Sequence, residues 1–408
     1  MDTRQQSKVE YSLFDSYMSS FAMFYLQDSS LLEFQRRFEE RIGNNNLRIV
    51  FGVEQIPSDT HLRDTIDFHN PSPLYSVFTE LFGRLQRGKH LDKFRYLDTG
   101  YLVAIDGSEY FRSTSINCAR CLHSDSKHQG KQFYHQILQA TQVHPDRRQV
   151  IPLLPEFIEN SDGSTKQDCE IAAVKRLIPR LRAEHRQLPI VLVADSLHSK
   201  VPIIRQARAH RMSFLLTAKP ADHKHLFSDV QGLRRGGMLD SFEYRDRKGT
   251  RYVYEWVNRI TCTASANTEY VNFIEFRIIR DGKQTFHGSW VTDIEVTKEN
   301  VSQLVRAARA RWKIENEGFN TLKNQGYHLD HNFGHGKQYL SSTFFLLNPL
   351  AFFVHQILEL TDILYQTARA QFSARKEYWN VIRASFHYFI FVDWEQVLTR
   401  CISPAQPP

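Results

Sequence analysis

The sequence predicts a mixed α/β protein whose sheet is covered by helices on both faces. Two runs, Gly100–Asp106 and Pro189–Asp195, are apolar without alternation, as strands buried on both sides are. Between them, from about Lys166 to Arg186, Ile171, Val174, Leu177, Ile178 and Leu181 repeat at helical spacing. From residue 222 to about 300, turn signals separate short strand-like runs, which predicts an all-β insertion.

Composition agrees with a large folded chain. The 408 residues are 41% apolar and 12% aromatic, enough for two or three domains with a sizeable core. The formal charge of +7 favours a polyanionic partner. Five cysteines are too few and odd in number for a disulfide framework, which points to a reducing cytosol. The polar start, Met1 to Ser12, has no apolar core segment, so no secretory signal is expected. Gln338–Leu358 carries no charged residue and is long enough to span a bilayer, but Ser341, Ser342, Thr343, Asn348, Pro349, His355 and Gln356 interrupt it. It reads as a buried helix pair broken at Asn348-Pro349, and no membrane is expected.

The elements follow in order. Leu31, Leu32, Phe34, Phe38 and Ile42 predict a helix that Gly43-Asn44-Asn45-Asn46 stops. Ser58 or Asp59 can cap a short helix exposing Thr60, His61, Arg63 and Asp64, and another runs from Ser76 to Leu85 into the basic run Arg84–Lys93. These short helices resemble a helix-turn-helix; an ordinary helical subdomain is the other reading. After Gly100–Asp106, strands are expected at Gln132–Val143 and Gln149–Ile158 with a turn at His144-Pro145-Asp146. A helix at Lys200–His210 leads to a strand at Ser213–Thr217. Hairpins are expected around Asp246–Gly249 and Asp281-Gly282, and helix resumes near Lys298. The boundaries are 1–95 (helical, DNA-binding), 96–221 (core, first part), 222–297 (β insertion), 298–345 (final core helix) and 346–408 (C-terminal helices).

Two acids stand where strands meet loops: Asp106 before Gly107-Ser108, and Asp195 after the Ile-Val-Leu-Val run. If the first and fourth strands are neighbours, these carboxylates converge, and Glu315 on a packed helix completes the set. Hard oxygen ligands of this kind suit Mg²⁺. A pair of such ions about 3.5–4 Å apart can activate a nucleophile and stabilise a leaving oxygen at a phosphodiester.

With these residues, the chain resembles the DDE-type insertion-sequence transposases, which have an RNase H-like core and an inserted β domain. The resemblance spans roughly 45–355. It rests on Ala104–Gly107, Val193–Ser196, Trp290–Asp293 and, most specifically, Arg311–Phe319 followed by Leu322-Lys323-Asn324. It implies an RNase H-like mixed sheet, with Asp106, Asp195 and Glu315 as catalytic residues and ligands of two Mg²⁺ or Mn²⁺ ions. The family places a Tyr seven residues before its Glu, an Arg four before and a Lys seven after. Here Arg311 matches, Ala308 stands at the Tyr position, and Leu322 stands at the Lys position with Lys323 one step further. On an ideal helix Lys323 lies about 80° round from Glu315, and the rival acid Glu317 about 200° away. Arg311 and Lys323 are the phosphate candidates. Trp290 and Trp312 could stack on a flipped end base or belong to the core.

The resemblance further implies cleavage and joining of DNA, with transposon ends and target DNA as partners, a homodimer in the synaptic complex, and a bacterial-type cytoplasmic, nucleoid-associated location. A structure-specific nuclease and a domesticated DNA-binding derivative are the alternatives. Cys118 and Cys121 form a lone CxxC that could hold zinc with His123 or His128, or be two reduced loop cysteines. His328, His331 and His335 form another cluster, read as DNA positioning or a capped turn.

Overall fold

Five helices precede the sheet in the computed structural model, which describes residues 11–97, 100–126, 130–160 and 167–402. They are α1 (Leu13–Tyr25), α2 (Leu31–Glu39), α3 (Arg41–Phe51), α4 (Asp59–Phe68) and α5 (Pro73–Arg87). Ser12, Ser30 and Ser58 cap α1, α2 and α4 by accepting a backbone N–H three residues on. The expected stop at Gly43–Asn46 does not occur: α3 runs through it. Tertiary contacts explain the composition. A Cβ on Gly43 would lie 2.2 Å from the Arg37 carbonyl oxygen, so only glycine lets α2 and α3 approach so closely. Buried Asn46 donates from Nδ2 to the carbonyls of Phe386 and Phe389 and accepts from Phe391 N at Oδ1, tying α3 to the C-terminal helices.

The strands are β1 (Arg95–Tyr96), β2 (Gly100–Ser113), β3 (Leu122–Ser126), β4 (Gly130–Val143), β5 (Ile151–Pro152) and β6 (Glu156–Ile158), followed by α6 (Glu170–Glu184), β7 (Ile190–Ala194), α7 (Val201–Ala209) and β8 (Ser213–Thr217). Next come α8 (Lys224–Arg235) and four antiparallel strands, β9 (Asp240–Arg245), β10 (Arg251–Thr261), β11 (Tyr270–Arg280) and β12 (Lys283–Thr292). Among the described residues these form one mixed sheet in the order β3-β4-β2-β7-β8-β12-β11-β10-β9. The insertion thus carries a helix ahead of its strands, with Leu226 and Val230 buried, and β12 continues the core sheet by pairing with β8. The hairpin at Asp281-Gly282 has both residues at positive φ, as a two-residue turn between twisted strands requires.

Both faces of the central strands are buried. Val103, Ile105, Leu192 and Ala194 point into one hydrophobic cluster, and Leu102, Ala104, Val191 and Val193 into the other. The second face is covered by α9 (Val301–Arg309), a π-helical turn at Ile314–Phe319, and α10 (Asn320–Asn324).

Helices α11 (Leu340–Thr361), α12 (Ile363–Ala370), α13 (Arg375–Tyr388) and α14 (Trp394–Ile402) complete the chain. The expected break at Asn348-Pro349 is absent: α11 is one helix of 22 residues. Asn348 Nδ2 donates to the Tyr327 carbonyl at 2.7 Å, and Pro349 is buried among the neighbouring helices, so the helix continues through it. This helix is long and apolar enough to cross a membrane, yet most of it is buried between α1, α4, α5 and α12. Trp379 lies 4.3 Å from the His355 ring, joining α13 to this spine.

His185 caps the end of α6 and packs 4.4 Å from the Phe82 ring of α5. Burial first, and Arg182 second, push its imidazole down to about 4. The unfolded chain takes up this proton near the ordinary value of about 6.5, so stability is full above that pH and is lost as pH falls towards about 4. At pH 5 the loss comes to about 2 kcal/mol. Urea unfolding of His185→Gln at pH 7.5 and pH 5 is expected to show a correspondingly smaller pH difference than wild type. An unchanged difference would remove His185 from the acid response.

Candidate active site

The pairing of β2 with β7 sets the positions of the two aspartates. They run parallel with Ile105 opposite Ala194, so Asp106 and Asp195 follow at neighbouring positions. Asp106 continues the alternation of Leu102 and Ala104, and Asp195 that of Val191 and Val193. Both carboxylates therefore face the side covered by α9 and the π turn. Asp106 is not at a strand end as expected. β2 continues to Ser113 because β4 stays paired with it, Asp106 opposite Gln139, while β7 stops at Ala194. The site opens where the parallel neighbour ends.

Glu315 lies in the π turn, and Arg311 precedes it in the break after α9. Arg311 Nη1 lies 2.7 Å from Glu315 Oε1 and 3.2 Å from Asp106 Oδ2, so one guanidinium bridges two of the three acids. Burial pushes the Asp106 carboxyl up to about 7 against the pull of Arg311, and Glu315 and Asp195 add to the rise. Asp195 behaves differently. Burial pushes it up, but the His198 ring, the Leu197 N–H and Arg311 together hold it below the ordinary carboxylate value. His198 Nδ1 lies 2.8 Å and Leu197 N 3.0 Å from the same oxygen, Oδ1.

The π turn bears on Lys323. It uses one residue more per turn than an α-helix, so the eighth residue after Glu315 comes round as the seventh would. Lys323 Nζ donates at 3.3 Å to the carbonyl of Glu109, on the strand that carries Asp106, and pairs at 3.1 Å with Asp330 in the segment after α10. The two tryptophans, each open to either a base-stacking or a core role, divide between them. Trp290, offered as a DNA contact, is 5% exposed and fills the core beneath β12, so it has no open face for a base. Trp312 is 56% exposed. It lines an open cleft of about 500 Å³ with Arg306, Arg309, Lys313 and Asn316 beside the Glu315 helix.

The sequence reading missed His198, whose ring is buried against Asp195, and Glu170 at the start of α6. Glu170 accepts from Gln136 Nε2 at 2.5 Å, and burial raises its pKa. Its carboxylate packs on Gly107, where a Cβ would come within 2.3 Å of Oε1. A side chain at this position would push the Glu170 carboxylate aside. The CxxC cysteines lie elsewhere, together with His135 and His335. The expected partner His123 is exposed, and His128 lies outside the described residues.

No curated protein matches the chain. A family described as Transposase DDE domain matches residues 113–348, more than half of the chain. The matched segment contains Asp195 and Glu315 and starts shortly after Asp106. The chain therefore belongs to the transposase DDE domain family.

Proposed function

We propose that this chain is the transposase of an insertion sequence, binding the terminal inverted repeats of its element and catalysing metal-dependent strand cleavage and strand transfer. The observation that supports this best is the convergence of Asp106, Asp195 and Glu315, from three distant segments, on one face of the sheet around a single arginine. Three carboxylates against one guanidinium leave an excess of negative charge, and the raised Asp106 marks a desolvated anion short of a cation. Oxygen donors of this kind fit Mg²⁺ or Mn²⁺.

In this reading Asp106, Asp195 and Glu315 hold two divalent ions, which would activate water or a 3′-hydroxyl and stabilise the leaving oxygen. Arg311 neutralises Asp106 and Glu315 in the resting protein and turns to a backbone phosphate when DNA is bound. His198 and the Leu197 N–H fix the Asp195 carboxylate by holding one oxygen. Lys323 is a second phosphate contact once it leaves the exposed Asp330. The cationic cleft with Trp312 gives the DNA a path beside the Glu315 helix, through phosphate contacts and stacking. The N-terminal helices take the terminal repeats, and a homodimer holds both ends in synapsis.

The test is incubation of the full-length protein with Mg²⁺ and duplexes carrying the ends of its element, with products resolved on a denaturing gel. Nicked, hairpinned or joined strands at the element end are expected. Cleavage without joining of pre-cut ends would leave a nuclease, and binding without cleavage a domesticated DNA-binding protein.

A further inference from the structure

Away from the three acids, Cys118 and Cys121 meet two histidines brought from distant parts of the chain. His135 comes from β4 and His335 from the segment between α10 and α11. A tetrahedral zinc ion, with bonds of about 2.3 Å to sulfur and 2.0–2.1 Å to nitrogen, sets ligand–ligand edges of about 3.8 Å for S–S, 3.6 Å for S–N and 3.3 Å for N–N. Here the two sulfurs are 3.8 Å apart. Cys118 Sγ lies 3.7 Å from His135 Nε2, and Cys121 Sγ lies 3.5 Å from the Nε2 of both histidines. The two Nε2 atoms are 3.1 Å apart. Five of the six edges therefore match a zinc coordination sphere closely, and the sixth, Cys118 Sγ to His335 Nε2, is under 4.8 Å. A disulfide needs its sulfurs about 2.05 Å apart, and these two cysteines are free.

The surroundings select the metal-binding forms. His335 Nδ1 lies 2.8 Å from the Gly336 carbonyl oxygen, which can only accept, so in the neutral ring Nε2 carries a lone pair. That lone pair points at a second imidazole nitrogen and a sulfur. A carbonyl behind the ring is the usual support of a ligating histidine. Cys118 N donates to Cys121 Sγ at 3.4 Å, which favours a thiolate. The His135 ring stacks on Tyr110 at 5.6 Å, and the His335 ring lies 4.3 Å from Phe111, so both ring orientations are set by packing. Three of the four groups are buried, and a bound cation offsets the cost of placing them there.

We propose that Cys118, Cys121, His135 and His335 bind one structural zinc ion. Four protein ligands fill the tetrahedron, leaving no open position for chemistry. The ion cross-links the loop between β2 and β3, strand β4, and the segment leading from the Glu315 helix into α11. Because its ligands are far apart in sequence, it closes a long loop as a disulfide would.

Metal analysis of the full-length protein, purified without chelator, is expected to find about one zinc per chain, falling to under about a tenth in Cys118→Ser and His335→Gln. Stripping the metal is expected to lower Tm by roughly 5 °C or more. Refilling with Co²⁺ should give thiolate-to-cobalt charge transfer and the visible bands of a tetrahedral ion. These readouts do not depend on DNA cleavage, so loss of the transposase reading leaves them standing. Should the variants fail to fold, zinc content and the Co²⁺ spectrum of wild type decide. A folded wild type without zinc, a different metal at stoichiometry, or a Cys118–Cys121 disulfide would overturn the proposal.

Discussion

Asp106→Asn, Asp195→Asn and Glu315→Gln are each expected to lower Mg²⁺-dependent cleavage at the element end by roughly 10³-fold or more while leaving duplex binding within about twofold. Each amide keeps the size of the carboxylate and removes the charge that would hold a divalent ion. Stability should move the other way at Asp106. Its carboxyl is pushed up to about 7 by burial, so ionising it in the folded protein is costly, and a neutral amide removes that cost. An Asp106→Asn protein that is inactive with Tm equal to or above wild type thus separates chemistry from folding, as a site strained for function predicts. Glu315→Gln has a sharper control in Glu317→Gln, two residues along the same π turn. A Glu315→Gln protein that still cleaves, beside an inactive Glu317→Gln, would reassign the third acid.

Much of this site was legible in the sequence because it depends on short-range patterns. Unbroken apolar runs foretold strands buried on both faces, and parallel pairing of the first and fourth then fixed where Asp106 and Asp195 meet. What the sequence concealed was set by distant contacts. Gly43–Asn46 carries the composition of a helix stop, but its glycine serves a close helix crossing and Asn46 a clasp to residues more than three hundred positions away. Pro349 should break a helix, yet α11, packed on several sides, continues through it. Ideal α-helical geometry turned Lys323 away from Glu315, and no residue pattern announces the π turn that brings it back. The CxxC drew attention to its sequence neighbours His123 and His128, whereas topology delivers His135 across a strand pair and His335 from the segment between α10 and α11. Trp290 and Trp312 each stand near the proposed site in sequence, and only the packing tells which face of each element is buried.

Asp67→Ala is expected to destabilise the fold by about 3 kcal/mol, because one carboxylate there satisfies a whole helix start. Asp67 Oδ1 accepts from the backbone N–H groups of Gln338, Tyr339 and Leu340 at 2.9 Å each, and Oδ2 from Lys337 N at 2.8 Å. Those groups open α11, the buried spine, while Asp67 belongs to α4, so this contact docks the N-terminal helices onto the core. Four charge-assisted bonds would nominally be worth about 6 kcal/mol; the side chain is only half-buried, so water recovers part of that. Burial pushes the Asp67 pKa up, but the four N–H bonds outweigh it and hold it below the ordinary value. Its stabilisation is therefore complete above about pH 4 and is lost as pH falls through the depressed value. Urea unfolding of wild type and variant should differ by a constant amount between pH 7 and pH 5, and by less near pH 3. A difference independent of pH throughout would mean that packing, not charge, accounts for the effect. The segment Asp67 holds begins directly after His335, so Asp67 and the proposed zinc ligands fix the same stretch of chain from two sides. Asp67→Ala combined with His335→Gln should then cost less than the sum of the two single changes, since either one already frees the segment that the other was holding.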